Sequence, residues 1–121
     1  MNLKIYEYKN CGTCKKALKF LGENKISYEK FPIRETPPSL SDIQKMLKYL
    51  DGDLKKLFNT SGLDYKAMNM KEKLPKLSEE AALKLLSQNG NLIKRPFVLA
   101  NNDGWVGFQE EVWKKKVKVV S

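Results

Sequence analysis

The chain has 121 residues, 41% of them hydrophobic, and carries a formal net charge of +9. That length suits one domain with a real core rather than two, and the apolar content excludes a disordered chain. The longest apolar runs span only a few residues, which excludes a membrane-spanning helix, and only two of the 23 basic residues are arginine, Arg34 and Arg95, which argues against direct nucleic-acid readout.

Leu3 to Tyr8 reads as a strand, with Leu3 and Ile5 alternating around Lys4. A helix follows, because Cys14, Ala17, Leu18 and Leu21 fall on one stripe and Lys15, Lys16 and Lys19 on the other face. Gly22 and Asn24 mark its end. Ile26 to Ile33 is a second strand, and Pro32, which has no N–H for a ladder, predicts that it lies at a sheet edge. Strand, helix and strand within about thirty residues form a right-handed βαβ unit.

Thr36-Pro37-Pro38-Ser39 is a break, and Ser39 is positioned to cap a helix whose stripe is Leu40, Ile43, Leu47 and Leu50. Asp53 is expected to cap a short helix through Leu57 and Phe58. Asn59 to Gly62 is a turn, and the stretch from there to Pro75 reads as irregular. Ser78 caps a further helix, with Glu79 and Glu80 at its positive end and Ala82, Leu83 and Leu86 inward. Residues 35–90 therefore form a helical insertion within a single domain spanning 1–121. Pro96 to Leu99 resumes as strand, Asn101-Asn102-Asp103-Gly104 is a hairpin turn, and Trp105 to Phe108 is the partner strand. Gln109 to Lys116 is a closing helix.

The two cysteines, Cys11 and Cys14, are the only ones in the chain and stand as C-x-x-C where the first strand meets the first helix. The absence of histidine rules out Ser-His and Cys-His nucleophile pairs, and two cysteines alone cannot supply the usual four ligands of an intrachain zinc site, so no metal is assigned. The N-terminus has no basic segment leading into an apolar stretch and a cleavage site, so the cytoplasm is the expected compartment. There a close cysteine pair points to redox chemistry rather than to a structural staple. A thiolate at Cys11 would face the free N–H groups and the positive end of the helix dipole, which lower a thiol pKa from about 8.5 by one to several units. Gly12 lets backbone N–H groups approach the sulfur or a bound oxyanion, and Thr13 offers a hydroxyl there. Cys14, one turn on, is either a resolving thiol or a small core residue on the apolar stripe. The basic surface is one suited to an acidic protein or a small anion.

The segments "YKNCGTCKKALKFL", "KKLFNTSGLDYKAMNMKEKL", "LLSQNGNLIKRPFV" and "VGFQEEVW" resemble the arsenate reductase/Spx family along nearly the whole chain. The resemblance implies an α/β, thioredoxin-like fold: a four-stranded mixed sheet, βαβ then ββα, with the helical insertion between. It places Pro96 before the third strand, facing Cys11, and predicts a cis Arg95–Pro96 bond with the Arg95 guanidinium turned toward the sulfur. Arg95 would be catalytic beside Cys11 and Cys14, with Gly12, Thr13 and Pro96 contacting substrate. The family's other two anion-holding arginines fall near Asn59 and Phe108, neither of which is arginine, and Arg34 is expected to lie outside the pocket. Each missing charged hydrogen bond is worth about 1.5–3 kcal/mol, and Cys14 stands where arsenate reducers carry serine, so specific arsenate reduction is not expected.

The resemblance thus implies a monomeric thiol–disulfide oxidoreductase with no bound cofactor, reduced by glutathione, a glutaredoxin or a thioredoxin. Its redox partner is a small thiol or a redox protein. The alternative it implies is an Spx-like redox regulator that docks on the C-terminal domain of the RNA polymerase alpha subunit, with Gly52 at the contact. Neither reading involves direct nucleic-acid or membrane binding.

Overall fold

The fold was analysed on a computed structural model, which describes residues 3–120. Strand β1 (Leu3–Glu7) is central. It pairs in parallel with β2 (Tyr28–Pro32) and antiparallel with β3 (Phe97–Leu99), which in turn pairs antiparallel with β4 (Gly104–Val106). The order is β2-β1-β3-β4, a mixed sheet with β2 and β4 at its edges. Pro32 closes an edge strand, where a missing N–H is harmless.

Helix α1 (Gly12–Glu23) joins β1 to β2. Cys14, Ala17 and Leu21 are buried as the stripe predicts, but Phe20 is buried too, while Leu18 is only half-buried. Phe20 wins that place by aromatic packing, its ring meeting Phe108 at 5.8 Å and Trp113 at 6.0 Å.

Between β2 and β3 lie α2 (Leu40–Tyr49), α3 (Leu63–Ala67), α4 (Met70–Lys73) and α5 (Glu79–Ser87), with 3-10 turns at Leu54–Leu57, Leu74–Lys76 and Gly90–Leu92. Ser39 and Ser78 cap α2 and α5, their hydroxyls accepting from the N–H of Asp42 and of Ala81, each at 3.1 Å. Asp53 precedes its turn but makes no side-chain cap. In α2 the exposed Leu40 gives way to Met46 in the core. The stretch to Pro75, expected to be irregular, is mostly helical. Its helices are four or five residues long, too short for an apolar period to register, and are pinned by the buried Tyr65 and Met70. Asn69 turns the chain between them at φ 54°.

The last strand ends early, because Gly107 at φ +73° bends the chain and donates its N–H to the Pro96 carbonyl at 2.9 Å. Helix α6 (Glu110–Val120) completes the fold and runs past the predicted Lys116.

The sheet separates two cores. On one face Tyr6, Phe97 and Leu99 pack under α2, α5 and the intervening turns. On the other, Leu3, Ile5, Val98 and Trp105 pack under α1 and α6, with Trp113 at the centre. The indole N–H of Trp113 donates to the Gly107 carbonyl at 2.9 Å. Among the described residues no helix is long and apolar enough to cross a membrane.

The turn at Gly90–Leu92 presses directly on the end of β2. A Cβ on Gly90 would stand 1.8 Å from the Ile33 carbonyl oxygen and 3.2 Å from the Cα of Arg34. Gly90→Ala must therefore push backbone from backbone. It is expected to cost at least about 2 kcal/mol in urea unfolding. Gly12→Ala, whose Cβ meets nothing within 4 Å, should stay within about 0.5 kcal/mol of the parent protein. Equal midpoints for the two variants would contradict this packing.

Candidate active site

β1 ends at Glu7, and Tyr8 to Asn10 make a tight turn closed by the Cys11 N–H donating to the Tyr8 carbonyl at 3.0 Å. Cys11 is then the N-cap of α1, with extended backbone (φ −91°, ψ 115°). Its sulfur does what a capping oxygen usually does: Sγ accepts the Cys14 N–H at 3.4 Å. Its carbonyl accepts the first helical bond, from the Lys15 N–H at 3.1 Å. The side chain is half-buried, so the sulfur is reachable from solvent and still faces the helix amides.

The two thiols are driven apart. Burial resists ionisation of Cys11, but hydrogen bonding from the Cys14 side chain and backbone N–H, together with the charge of Arg95, outweighs it and holds the pKa below that of an ordinary thiol. Cys14 is fully buried on the inner face of α1. Burial first of all, then its hydrogen bond to Cys11, the Cys11 charge and the nearby Glu7 carboxylate, push its pKa up to about 12, against a lowering from the Tyr8 backbone. Two like groups with separated affinities for a proton divide the roles: Cys11 gives up its proton the more readily, and Cys14 holds on to its own.

The Arg95–Pro96 bond is cis, with Pro96 buried at the head of β3. The Arg95 guanidinium carbon lies 5.0 Å from the centroid of the Tyr8 ring, and its Nη1 is buried with no hydrogen-bond partner. Arg34, expected outside the pocket, is at the same ring: its guanidinium carbon is 4.8 Å from the centroid, and Nη1 donates to the Tyr8 hydroxyl at 2.9 Å. Asn10 Nδ2 donates to that hydroxyl as well, at 3.1 Å. The Asn10 hydrogen bond chiefly, with Arg34 and Lys9 adding to it, lowers the Tyr8 pKa against the opposing effect of desolvation.

Neither arginine has a carboxylate within ion-pair distance among the described residues. The missed signal is register. In a parallel pair Glu7 faces Pro32, so Tyr8, one residue beyond, and Arg34, two residues beyond, leave the sheet from neighbouring strand ends.

Thr13 is exposed on the first turn of α1, and Gly12 is exposed with open space around its Cα. Phe108, at one of the two positions where the resemblance puts arginine, packs on Trp113 with ring centroids 5.0 Å apart. Asn59, at the other, donates its backbone N–H to the Leu92 carbonyl at 2.8 Å.

Comparison with known proteins places the chain by family and fold. Residues 6–116 match the profile of the ArsC family. The chain is 43% identical to the Bacillus subtilis (strain 168) protein YusI over 111 residues, covering 92% of this chain and 94% of that one. It is 25% identical over 107 residues to the global transcriptional regulator Spx of Listeria monocytogenes, covering 88% and 80%. The crystal structure of an ArsC family related protein from Bacteroides fragilis superposes with a TM-score of 0.89 at 38% identity, over 95% of this chain and 97% of that one.

Alkylation by iodoacetamide measured against pH tests the electrostatics. Cys11 should react with a midpoint below the ordinary thiol value of about 8.5, and Cys14 should stay unmodified in the native protein. Arg95→Gln should move the Cys11 midpoint upward. Because the folded pKa of Cys11 is depressed, its contribution to stability is full above the unfolded thiol pKa and is lost as pH falls through the folded value. A midpoint at or above the free-thiol value would overturn this account.

Proposed function

The chain belongs to the ArsC family, and on that premise we propose that it is a thiol–disulfide oxidoreductase with Cys11 as nucleophile, Cys14 as resolving thiol and Arg95 as the group that steadies negative charge. The observation that carries the reading is the split pair: a half-exposed sulfur capped by an N–H, and a second, buried sulfur one turn behind it. The Cys11 thiolate attacks one sulfur of a disulfide, forms a mixed disulfide with it and expels the other half as a thiolate. Cys14 then gives up its proton and attacks the Cys11 sulfur. The remaining half of the substrate leaves as a thiolate, and a Cys11–Cys14 disulfide is left. The substrate gains two electrons and the cysteine pair loses two.

The order of attack follows from the proton affinities. While Cys11 is ionised, its charge and hydrogen bond help keep Cys14 protonated. Once Cys11 is tied up in a mixed disulfide both influences vanish, and Cys14 becomes easier to ionise when its attack is needed. An external thiol closes the cycle: glutathione, a glutaredoxin or a thioredoxin, with no bound cofactor. We assign the protein to the cytoplasm as a monomer. Specific arsenate reduction is left out of the proposal, since Asn59 and Phe108 supply no guanidinium.

The likeness to Spx supports a second reading. There the same disulfide would act as a switch for docking on the C-terminal domain of the RNA polymerase alpha subunit. Gly52, the residue that the resemblance puts at such a contact, is exposed at φ +77° just after α2, where its N–H donates to the Leu47 carbonyl at 2.9 Å. A helix-ending turn already accounts for a glycine there, so the enzyme reading is preferred.

Cys14→Ser exposed to glutathione disulfide should hold one glutathionyl adduct on Cys11, visible by intact mass. The parent protein should pass through that adduct to an internal disulfide, and Cys11→Ser should take up none. Absence of any adduct on Cys14→Ser would refute the enzyme reading. Capture of the polymerase domain by only one redox form of the parent protein would favour the second.

A further inference from the structure

A groove of about 690 Å3 lies along β4, with Tyr49 of α2 and the following Leu50 on one side and Val112 and Trp113 of α6 on the other. Its floor is the whole of β4, a free edge strand. Backbone groups in an antiparallel pair alternate between facing the partner and facing away. The Ala100 N–H donates to Asp103 and the Gly107 N–H to Pro96, while Val98 faces Trp105. Trp105 therefore turns its backbone to β3, and Gly104 and Val106 turn theirs outward. The Gly104 N–H is taken by the Asp103 carboxylate at 2.8 Å, which leaves the carbonyl of the buried Gly104 and both polar groups of the half-buried Val106 turned to the edge without a backbone partner among the described residues.

The walls are basic. Lys55, Lys56 and Lys94 line the groove, are exposed, and have no acid within ion-pair distance among the described residues. Lys116 also lines it but is already paired with Asp103 at 2.9 Å. Asp53 is the one carboxylate among the described lining residues. Trp105, another lining residue and only 4% exposed, has an indole N–H without a partner, and a buried donor left unpaired is an exception in folded proteins.

We propose that this groove binds an extended acidic segment of another protein, added as a strand to β4 with its carboxylates on Lys55, Lys56 and Lys94. A single-stranded nucleic acid would want open aromatic faces to stack on. Trp105, Trp113 and Phe58 are 4%, 1% and 1% exposed, and Phe108 packs on Trp113 with ring centroids 5.0 Å apart, so of the aromatic lining only the half-buried Tyr49 presents part of a ring and no run of open faces is available. Thr13, on the first turn of α1, lines the same groove. On the thiol reading above, on which only this clause rests, a docked segment brings its own disulfide toward Cys11. Docking itself requires no cysteine chemistry.

Both tryptophans of the chain line the groove, so intrinsic fluorescence reports occupancy. The probe is a blocked peptide of alternating glutamate and threonine, titrated into the parent protein and into Cys11→Ser. A saturable change, equal in the two proteins, is expected. Lys55→Glu/Lys56→Glu, with Lys94→Glu as a second variant, should weaken it roughly tenfold. A peptide N-methylated at alternate amides should lose binding, because it cannot complete the edge. The proposal is overturned if the acidic peptide produces no change, if a lysine/threonine peptide or an oligothymidylate binds as well, or if the charge reversals or the N-methylation have no effect. Because Cys11→Ser is included, none of these outcomes depends on whether Cys11 is redox-active.

Discussion

The N-cap of α1 is a sulfur atom, and the chemistry proposed for this protein follows from that contact. A cap side chain must accept an N–H that has no partner within the helix. When the acceptor is Sγ of Cys11 and the donor is the Cys14 amide, the requirement that starts the helix is also what favours a thiolate. The same turn of helix carries Cys14 to the inner face, where it is wholly buried. One element thus supplies opposite environments to two identical side chains, and only their position on the helix decides which of them ionises.

The sheet register makes that cap effective. The end of β1 is held between β2 in parallel and β3 antiparallel, so the chain leaving β1, the chain leaving β2 and the chain entering β3 converge on one corner. Tyr8, Arg34 and Arg95 are the side chains these paths bring together there. Guanidiniums within about 5 Å of a tyrosine ring gain cation–π attraction of about 0.5–1 kcal/mol each at exposed sites. That is enough to orient them and far too little to neutralise them. The corner therefore keeps positive charge beside the sulfur, with no carboxylate within ion-pair distance of either guanidinium among the described residues.

The excess of basic residues is not spread without consequence. Arg95 acts on the Cys11 sulfur, and the lysines around β4 line the groove along that edge strand. Sheet edges invite strand addition and are commonly blunted. Here β4 is only three residues long, which limits indiscriminate pairing. The lysines beside it make the surface selective for acidic sequence and unfavourable to a second copy of this basic chain.

Much of this was legible in the order of residues. Alternation around Lys4, the apolar stripe after Cys11, the serine caps at 39 and 78, the edge position implied by Pro32 and the turn at Asn101–Gly104 all rest on interactions between near neighbours in the chain, which local pattern encodes directly. So does the placement of the C-x-x-C pair at a strand–helix junction. The short helices at 63–73 escaped notice because four or five residues do not complete enough turns to show a period. The burial of Phe20 in place of Leu18 depended on rings from α6 and the loop before it. By itself the sequence determined that a cysteine would sit at the first helix N-terminus with a second cysteine one turn on. Only the tertiary structure decided that Arg34 would join Arg95 at Tyr8 and that β4 would lie open between two walls. Those arrangements depend on which strands become neighbours and in what register, a choice made by packing between segments far apart in the chain.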